Sequence, residues 1–532
     1  MKKLPLGIQT FSQIIEEDYL YVDKTKYLYE IVKKGKSYFL SRPRRFGKSL
    51  IVSTLKEIFK GNKKLFEGLY IYDKWNWNEK YPVIHLDLSK VINKNVELLE
   101  ARLIKVIEGI ALSFSINLNN IDSQGMLDEL ITKLYDSFNQ KVVILIDEYD
   151  TPLIDNMEDN EVFDTNREFL NSFYKVLKSN DEYLKFIFLT GVSKFSNVSI
   201  FSGLNSPRDI SLSKDFVTIC GYTQNELEKY FKDYIKLIAN EESITYDEAL
   251  NDIKCWYDGY SWNGKDNVYN PYSTLSMFLD EEFGSYWFQT GTTTFLMEKL
   301  KKNNNLIPII NPNPHNKIDL MNFEIGNTDM IPLLFQTGYL TIKSVEKYDR
   351  EKNYILSFPN KEVKDSFGKY LLNAYTNYSN GELNSLKRTI LKQIHSLDNE
   401  GLNKSFEILL SQIPYQLHIP QESYYHSLYI AWLFAHGFNI RGEESISDGR
   451  IDATLEEKDT VVIAEFKHST EKEENGKIIK AKSLPTLLDE AINQIYEKKY
   501  YKNYYNKNKI ILLGVAVSNK KIANRIELLK KD

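Results

Sequence analysis

The first two hundred residues alternate short apolar runs with longer stretches of helical spacing, and that alternation constrains the fold more than any other feature. Residues 37–40, 83–88, 142–146 and 186–189 read as buried strands. Residues 49–59, 96–113 and 126–138 repeat their apolar positions at the helical period. Strands alternating with helices predict an α/β domain built on a parallel sheet.

The chain has 532 residues, too many for one hydrophobic core, so several domains are expected. Residues 223–283 read as helical, with Tyr- and Trp-rich turns at 256–260, and the Asn- and Pro-rich stretch 301–316 reads as a linker. A mixed region follows, with turns at 335–338 and 358–360 and a helical stretch at 386–410. The last hundred residues read as a helix, two strands, a helix and a strand, a second α/β unit. The expected division is 1–215, 216–300, 301–410 and 411–532.

A formal net charge of -5 excludes a protein that coats nucleic acid through bulk positive charge. Cys220 and Cys255 form no CxxC pair, which excludes a disulfide framework and a cysteine-rich zinc site and fits a reducing compartment. Met1 to Pro5 lacks the apolar run of a signal peptide, and no stretch of about 18 uncharged apolar residues suggests a membrane span. A soluble, cytoplasmic protein is expected.

Arg42-Pro43-Arg44-Arg45-Phe46-Gly47-Lys48-Ser49-Leu50 follows a strand and opens a helix. Successive backbone N–H groups and a helix N-terminus can wrap a phosphate there. Lys48 would reach the β- and γ-phosphates of ATP, and the Ser49 hydroxyl would bind Mg²⁺. Arg42 stands where the general P-loop has its first glycine. The run Val142 to Ile146 ends in Asp147 and Glu148. In P-loop ATPases such a strand lies beside the phosphate loop. Its aspartate holds Mg²⁺ through water and its glutamate polarises the attacking water. A third strand ends in Thr190-Gly191-Val192-Ser193, where Thr190 or Ser193 could sense the γ-phosphate, or could simply cap a turn. The candidate ATP-binding set is Arg44, Arg45, Phe46, Gly47, Lys48, Ser49, Leu50, Asp147 and Thr190, with Glu148 as the catalytic base.

These motifs, with Tyr21-Val22-Asp23-Lys24-Thr25, Phe201 to Asn205, Trp256 to Tyr260, Val268 to Pro271 and Tyr286 to Gly291, resemble the bacterial AAA-ATPase-like family over residues 4–300. That family habitually carries Arg-Pro-Arg-Arg-Phe-Gly-Lys-Ser and is similar to STAND ATPases. The resemblance implies ATP binding and hydrolysis, and an assembly in which an arginine from outside completes the site. Arg208 is a candidate for such an arginine, with a local pair to Asp209 as the plainer role.

Near the C-terminus, Gly449-Arg450-Ile451-Asp452 and Val461 to Lys467 read as adjacent strands. Glu465 and Lys467 are two apart and leave the same face, where Asp452 can meet them. Two carboxylates placed so can hold Mg²⁺ or Mn²⁺ through oxygen, and a lysine beside them can act on water or phosphate. A salt bridge at a sheet edge would use the same residues. The constellation resembles the PD-(D/E)XK nuclease-like domain over residues 415–517. The resemblance implies catalytic roles for Asp452, Glu465 and Lys467, a further metal-ligating acid in Glu422, with Glu444 as its rival, and support from Gln494 and Tyr500. His468 stands where an apolar or small residue is expected, and His426 shares a helix face with Glu422 as a structural residue.

The expected architecture is a P-loop NTPase parallel sheet, a helical middle region and a restriction-endonuclease-like α/β domain. Two functions fit it. One is an ATP-regulated, metal-dependent nuclease on DNA or RNA; the other is an ATP-dependent switch whose nuclease-like domain only binds nucleic acid. The Tyr- and Lys-rich stretch 496–509 suits either a nucleic-acid surface or a solvated helix end.

Overall fold

Six consecutive residues with no room for a polar face, Val142–Asp147, are all buried, as a central strand covered on both sides must be. The computed structural model describes residues 1–194, 207–291, 314–321, 330–349, 351–375, 380–411, 440–446, 449–456, 459–469, 471–474, 477–518 and 521–530. It divides into two units: Met1–Gly291 with Pro314–Glu362, and Thr292–Asn313 with Val363–Asp532. Among the described residues no helix is long and apolar enough to cross a membrane.

In the first unit, β1 (Ser37–Ser41), β2 (Val83–Asp87), β3 (Val142–Asp147), β4 (Leu184–Gly191) and β5 (Arg208–Asp209) form one sheet in the order β2-β3-β4-β1-β5. Every pairing is parallel. The four expected strands are present, and β5 is a short addition. β3 does not lie directly beside β1, the strand that leads into the phosphate loop, because β4 is inserted between them. Periodicity is blind to this order, since parallel neighbours need not be neighbours in the chain.

Helices Lys48–Phe59, Val96–Ser113 and Ser123–Phe138 lie where spacing predicts them, and Asn160–Ser179 joins them between β3 and β4. Three of the four are capped by side chains: Asn95 accepts the Leu98 N–H, Asp122 that of Gly125 and Asp159 that of Val162. The helical region, Gln224–Tyr230, Lys232–Glu241, Tyr246–Tyr257 and Pro271–Asp280, opens two of its helices with capping boxes, Thr223 with Glu226 and Thr245 with Glu248. Its core takes Leu4, Leu20 and Val22 from the N-terminal segment beside Leu227, Phe231, Ile253 and Phe278.

The expected turn at 335–338 is instead the end of a helix, Ile331–Thr337, closed by Gly338. An antiparallel hairpin follows, β6 (Thr341–Tyr348) and β7 (Glu351–Ser357), then a helix, Lys361–Tyr375. The single helical stretch expected at 386–410 is two helices, Asn380–Ser396 and Asn399–Ser411. They part where Leu397 takes a left-handed φ of 58° and Asp398 accepts the Gly401 N–H.

The second unit's sheet contains β8 (Ile440–Ile446), β9 (Gly449–Glu456), β10 (Thr460–Ser469), β13 (Lys509–Ser518) and β14 (Lys521–Leu528) in the order β14-β13-β10-β9-β8. Only β10 and β13 pair in parallel, and the helix Leu484–Glu497 forms their crossover. A separate small hairpin pairs β11 (Lys472–Glu474) with β12 (Lys477–Ile479). β8 and β14, both edge strands with mixed polar sequences, go beyond the expected pattern of two strands, helix and strand. Residues 301–313 of the expected linker lie outside the described residues, as does the stretch 412–439.

Candidate nucleotide site and carboxylate site

The helix Lys48–Phe59 begins immediately after Gly47, whose φ of 89° only glycine adopts without strain. Arg45 two residues earlier also has a positive φ, 69°, so the loop alternates handedness as anion-binding nests do. Lys48 is buried, and its Nζ donates to the carbonyls of Arg42 at 3.1 Å and Pro43 at 3.2 Å. Glu148 Oε1 lies 3.2 Å from the same ammonium. The end of β3 therefore reaches the loop although β4 separates the two strands.

β4 uses that position. Thr190, wholly buried, donates from Oγ1 to Asp147 Oδ1 at 2.6 Å, and the Glu148 N–H reaches the same oxygen at 3.1 Å. Of the two polar candidates at this strand end, Thr190 thus meets Asp147. Ser193 serves Asp150, which accepts the Val192 N–H, the Ser193 N–H and the Ser193 hydroxyl. Burial first, and then the charge of Glu148, push the Asp150 carboxyl up to about 7. Gly191 makes this approach possible, since a side chain there would strike Asp150 and the ring of Tyr149. Ser49 and Leu50 occupy the first turn of the helix, half-buried.

Arg42, in place of the first glycine of the general P-loop, has a structural role that the sequence does not announce. Its guanidinium is buried and donates to the carbonyls of Ser41 at 2.8 Å, Ser211 at 2.9 Å and Phe216 at 3.2 Å. It lies 3.9 Å from the centre of the Trp262 ring, and burial lowers its pKa to about 10. A glycine could satisfy none of those carbonyls. The remaining loop residues are gripped as well. Phe46 packs edge-on against Tyr260 and Trp262, Arg45 lies over Tyr272, and the Trp287 Nε1–H donates to the Arg44 carbonyl at 3.0 Å. Arg208 is exposed, and Asp209 pairs with Lys194 at 2.9 Å.

A small pocket adjoins the loop. Gly47, Leu50, Tyr21, Thr54, Cys220 and Tyr222 are among the residues that line it. Lys24, also on its wall, is held by both oxygens of Glu226 and by the Thr218 carbonyl.

In the second unit, the β9–β10 ladder ends at the pair Ala453 and Ala464, one residue short of Asp452 and Glu465. Asp452 Oδ2 accepts the Phe466 N–H at 2.8 Å in place of a ladder bond. Lys467 Nζ donates to Glu465 Oε1 at 2.9 Å, and Gln494 donates to the same oxygen. Gln494 also bonds the Tyr500 hydroxyl at 3.2 Å. Glu465 is buried, and its other oxygen, Oε2, has no hydrogen-bond partner. Burial first, then the charge of Asp452, raise its carboxyl to about 7 against the opposing pull of Lys467.

A buried carboxylate oxygen without a partner is costly. Oxygen donors of this kind suit a hard divalent cation, so Asp452 and Glu465 could hold one. Among the described residues no group of three or more His, Cys, Asp or Glu is arranged to hold a metal. Glu422 and His426 lie outside the described residues, and Glu444 is on β8. In the 496–509 stretch, Tyr500 and Tyr504 are core residues while Tyr496 and Tyr505 are exposed.

Residues 5–201 match the family described as predicted AAA-ATPase, and residues 420–527 match the PD-(D/E)XK nuclease superfamily. The "Uncharacterized protein in vnfD 5'region" of Azotobacter chroococcum mcd 1 is 35% identical over 528 residues, covering 97% of this chain and 96% of that protein. The solved Aeropyrum pernix ORC2 protein (ADPNP-ADP complexes) matches 68% of this chain and 97% of that chain at 12% identity. Its TM-score of 0.25 is too low to bear on the fold. The chain belongs to the family of the Azotobacter protein, one of predicted AAA-ATPases that carries a PD-(D/E)XK nuclease superfamily domain toward its C-terminus.

Proposed function

We propose that the chain binds and hydrolyses ATP at the phosphate loop, and that its nucleotide state governs a metal-dependent nuclease activity of the C-terminal domain on DNA or RNA. The convergence of Lys48, Asp147, Glu148 and Thr190 from one loop and two strand ends carries the reading. Lys48 would meet the β- and γ-phosphates, and Ser49 and Asp147 would hold Mg²⁺. Glu148 would polarise the attacking water, for which it must first leave Lys48.

At the carboxylate site Asp452 and Glu465, with Glu422 as a further acid, would hold Mg²⁺ or Mn²⁺. That ion would supply charge neutralisation at a phosphodiester. Lys467 would orient water or the scissile phosphate, and Gln494 would steady Glu465. The orphaned Glu465 oxygen supports this use of the pair. Working as a homo-oligomer, in a reducing cytoplasm, belongs to the same reading.

The test is ATP turnover and cleavage by purified full-length protein. Lys48→Ala should abolish ATP hydrolysis and weaken ATP binding, because the charge facing the phosphates is gone. Wild-type turnover in that variant would overturn the loop assignment. Plasmid, single-stranded DNA and RNA, each with Mg²⁺ or Mn²⁺, test the second domain. Binding without cleavage would make it a nucleic-acid-binding switch instead.

A further inference from the structure

The phosphate loop is tied to the last residue of the first unit by a single tryptophan. Trp287 is fully buried. Its indole Nε1–H donates to the Arg44 carbonyl at 3.0 Å, inside the loop, and its backbone N–H donates to Glu362 Oε1 at 2.6 Å. Glu362 is the second residue of the helix Lys361–Tyr375, whose remaining length, from Val363 on, belongs to the second unit. One side therefore grips the loop and the other grips the helix through which the chain leaves the unit.

The surroundings of Glu362 are not those of a structural anchor alone. It is wholly buried, and its second oxygen, Oε2, has no hydrogen-bond partner. The Tyr260 hydroxyl nearby is likewise buried without a partner, while the Ser273 hydroxyl faces the Glu362 carboxylate and pulls its pKa down. Tyr260 itself packs on Phe46 of the loop at 4.7 Å and on Trp287 at 6.5 Å. Unpaired buried polar atoms are costly, so the Glu362 and Tyr260 oxygens gain from any rearrangement that gives them partners. Burial also pushes the Glu362 carboxyl up to about 7.

We propose that Trp287 and Glu362 form a relay that transmits the state of the phosphate loop to the helix Lys361–Tyr375, making them positioning residues of the nucleotide site rather than catalytic ones. The proposal rests on ATP binding at the loop. When phosphates draw the loop's N–H groups inward, the Arg44 carbonyl turns with them and Trp287 must follow or lose its bond. Trp287 in turn moves the acceptor at the start of the helix. Position between two sites is not coupling by itself, so the relay stands or falls on a measured dependence.

Amide hydrogen exchange of residues 361–375, with and without ATP, reads the relay in the full-length protein. Three variants accompany wild type, each at ATP above its own Kd. Trp287→Phe keeps the ring and loses the indole donor, Glu362→Ala removes the acceptor, and Glu362→Gln retains one. Wild type should show an ATP-dependent change in exchange over this helix. That change should vanish in Trp287→Phe and in Glu362→Ala although both still bind ATP, and should return in Glu362→Gln. Trp287→Phe should also weaken ATP about tenfold, the scale of one hydrogen bond. An ATP response that persists in Trp287→Phe and Glu362→Ala overturns the relay, as does its absence from wild type with ATP bound. Failure of wild type to bind ATP is a different result, which overturns the ATP reading and the relay with it.

Discussion

At the scale of single residues, the candidate nucleotide site is organised by partners that are already engaged. Lys48 is held by two loop carbonyls and by Glu148, so ATP has to displace a carboxylate as well as reach an ammonium. Glu148→Gln should remove that competition and the polarising charge together. The account predicts ATP binding at least as tight as wild type and hydrolysis slower by about 10²-fold or more. Equal turnover would make Glu148 merely a partner for Lys48. Glu362 supports a second prediction, concerning pH. Burial raises its carboxyl from the ordinary 4.5 to about 7, so the folded state binds the proton more tightly than the unfolded chain. Its stabilising contribution is complete below pH 4.5 and is lost as the pH climbs through 7. A shift of this size corresponds to about 3 kcal/mol. Glu362→Gln should therefore gain stability relative to wild type between pH 5 and pH 8, measured as the difference in denaturation midpoint; a constant difference would contradict the assignment.

At the scale of elements, the sequence was most legible where a strand or helix is decided by its own residues. The four buried strands and the helices behind them follow from runs such as Val142 to Ile146, whose chemistry leaves no exposed face. The carboxylates and lysine of both sites were legible for the same reason, as polar residues ending apolar strands. What escaped depends on distant partners. The insertion of β4 between β1 and β3 is a matter of sheet order, and it gives Thr190 its bond to Asp147. The role of Arg42 was not legible because Ser211, Phe216 and Trp262, its partners, lie far along the chain. The helix break at Leu397 turns on one left-handed residue, and β8 and β14 lack the apolar runs that announce central strands. The pair of strands β9 and β10 carries a prediction of its own. Asp452→Ala and Glu465→Ala should each lose Mn²⁺ binding and cleavage together, whereas Lys467→Ala should keep the metal and lose cleavage. Calorimetric titration of Mn²⁺ beside a cleavage assay separates the roles. Wild-type metal binding in both carboxylate variants would reduce the cluster to a salt-bridged sheet edge.

At the scale of the whole molecule, one chain joins a phosphate loop in the first unit to a buried carboxylate pair in the second, and the family it belongs to carries both domains along its length. The functional claim is that the first governs the second. The measurement that bears on it most directly is metal-dependent cleavage of nucleic acid by the full-length protein, with and without ATP, in wild type, Lys48→Ala and Glu465→Ala. The account predicts that ATP changes the cleavage rate of wild type, that Lys48→Ala cleaves at one rate whether or not ATP is added, and that Glu465→Ala hydrolyses ATP but does not cleave. Wild-type cleavage that is the same with and without ATP would contradict it.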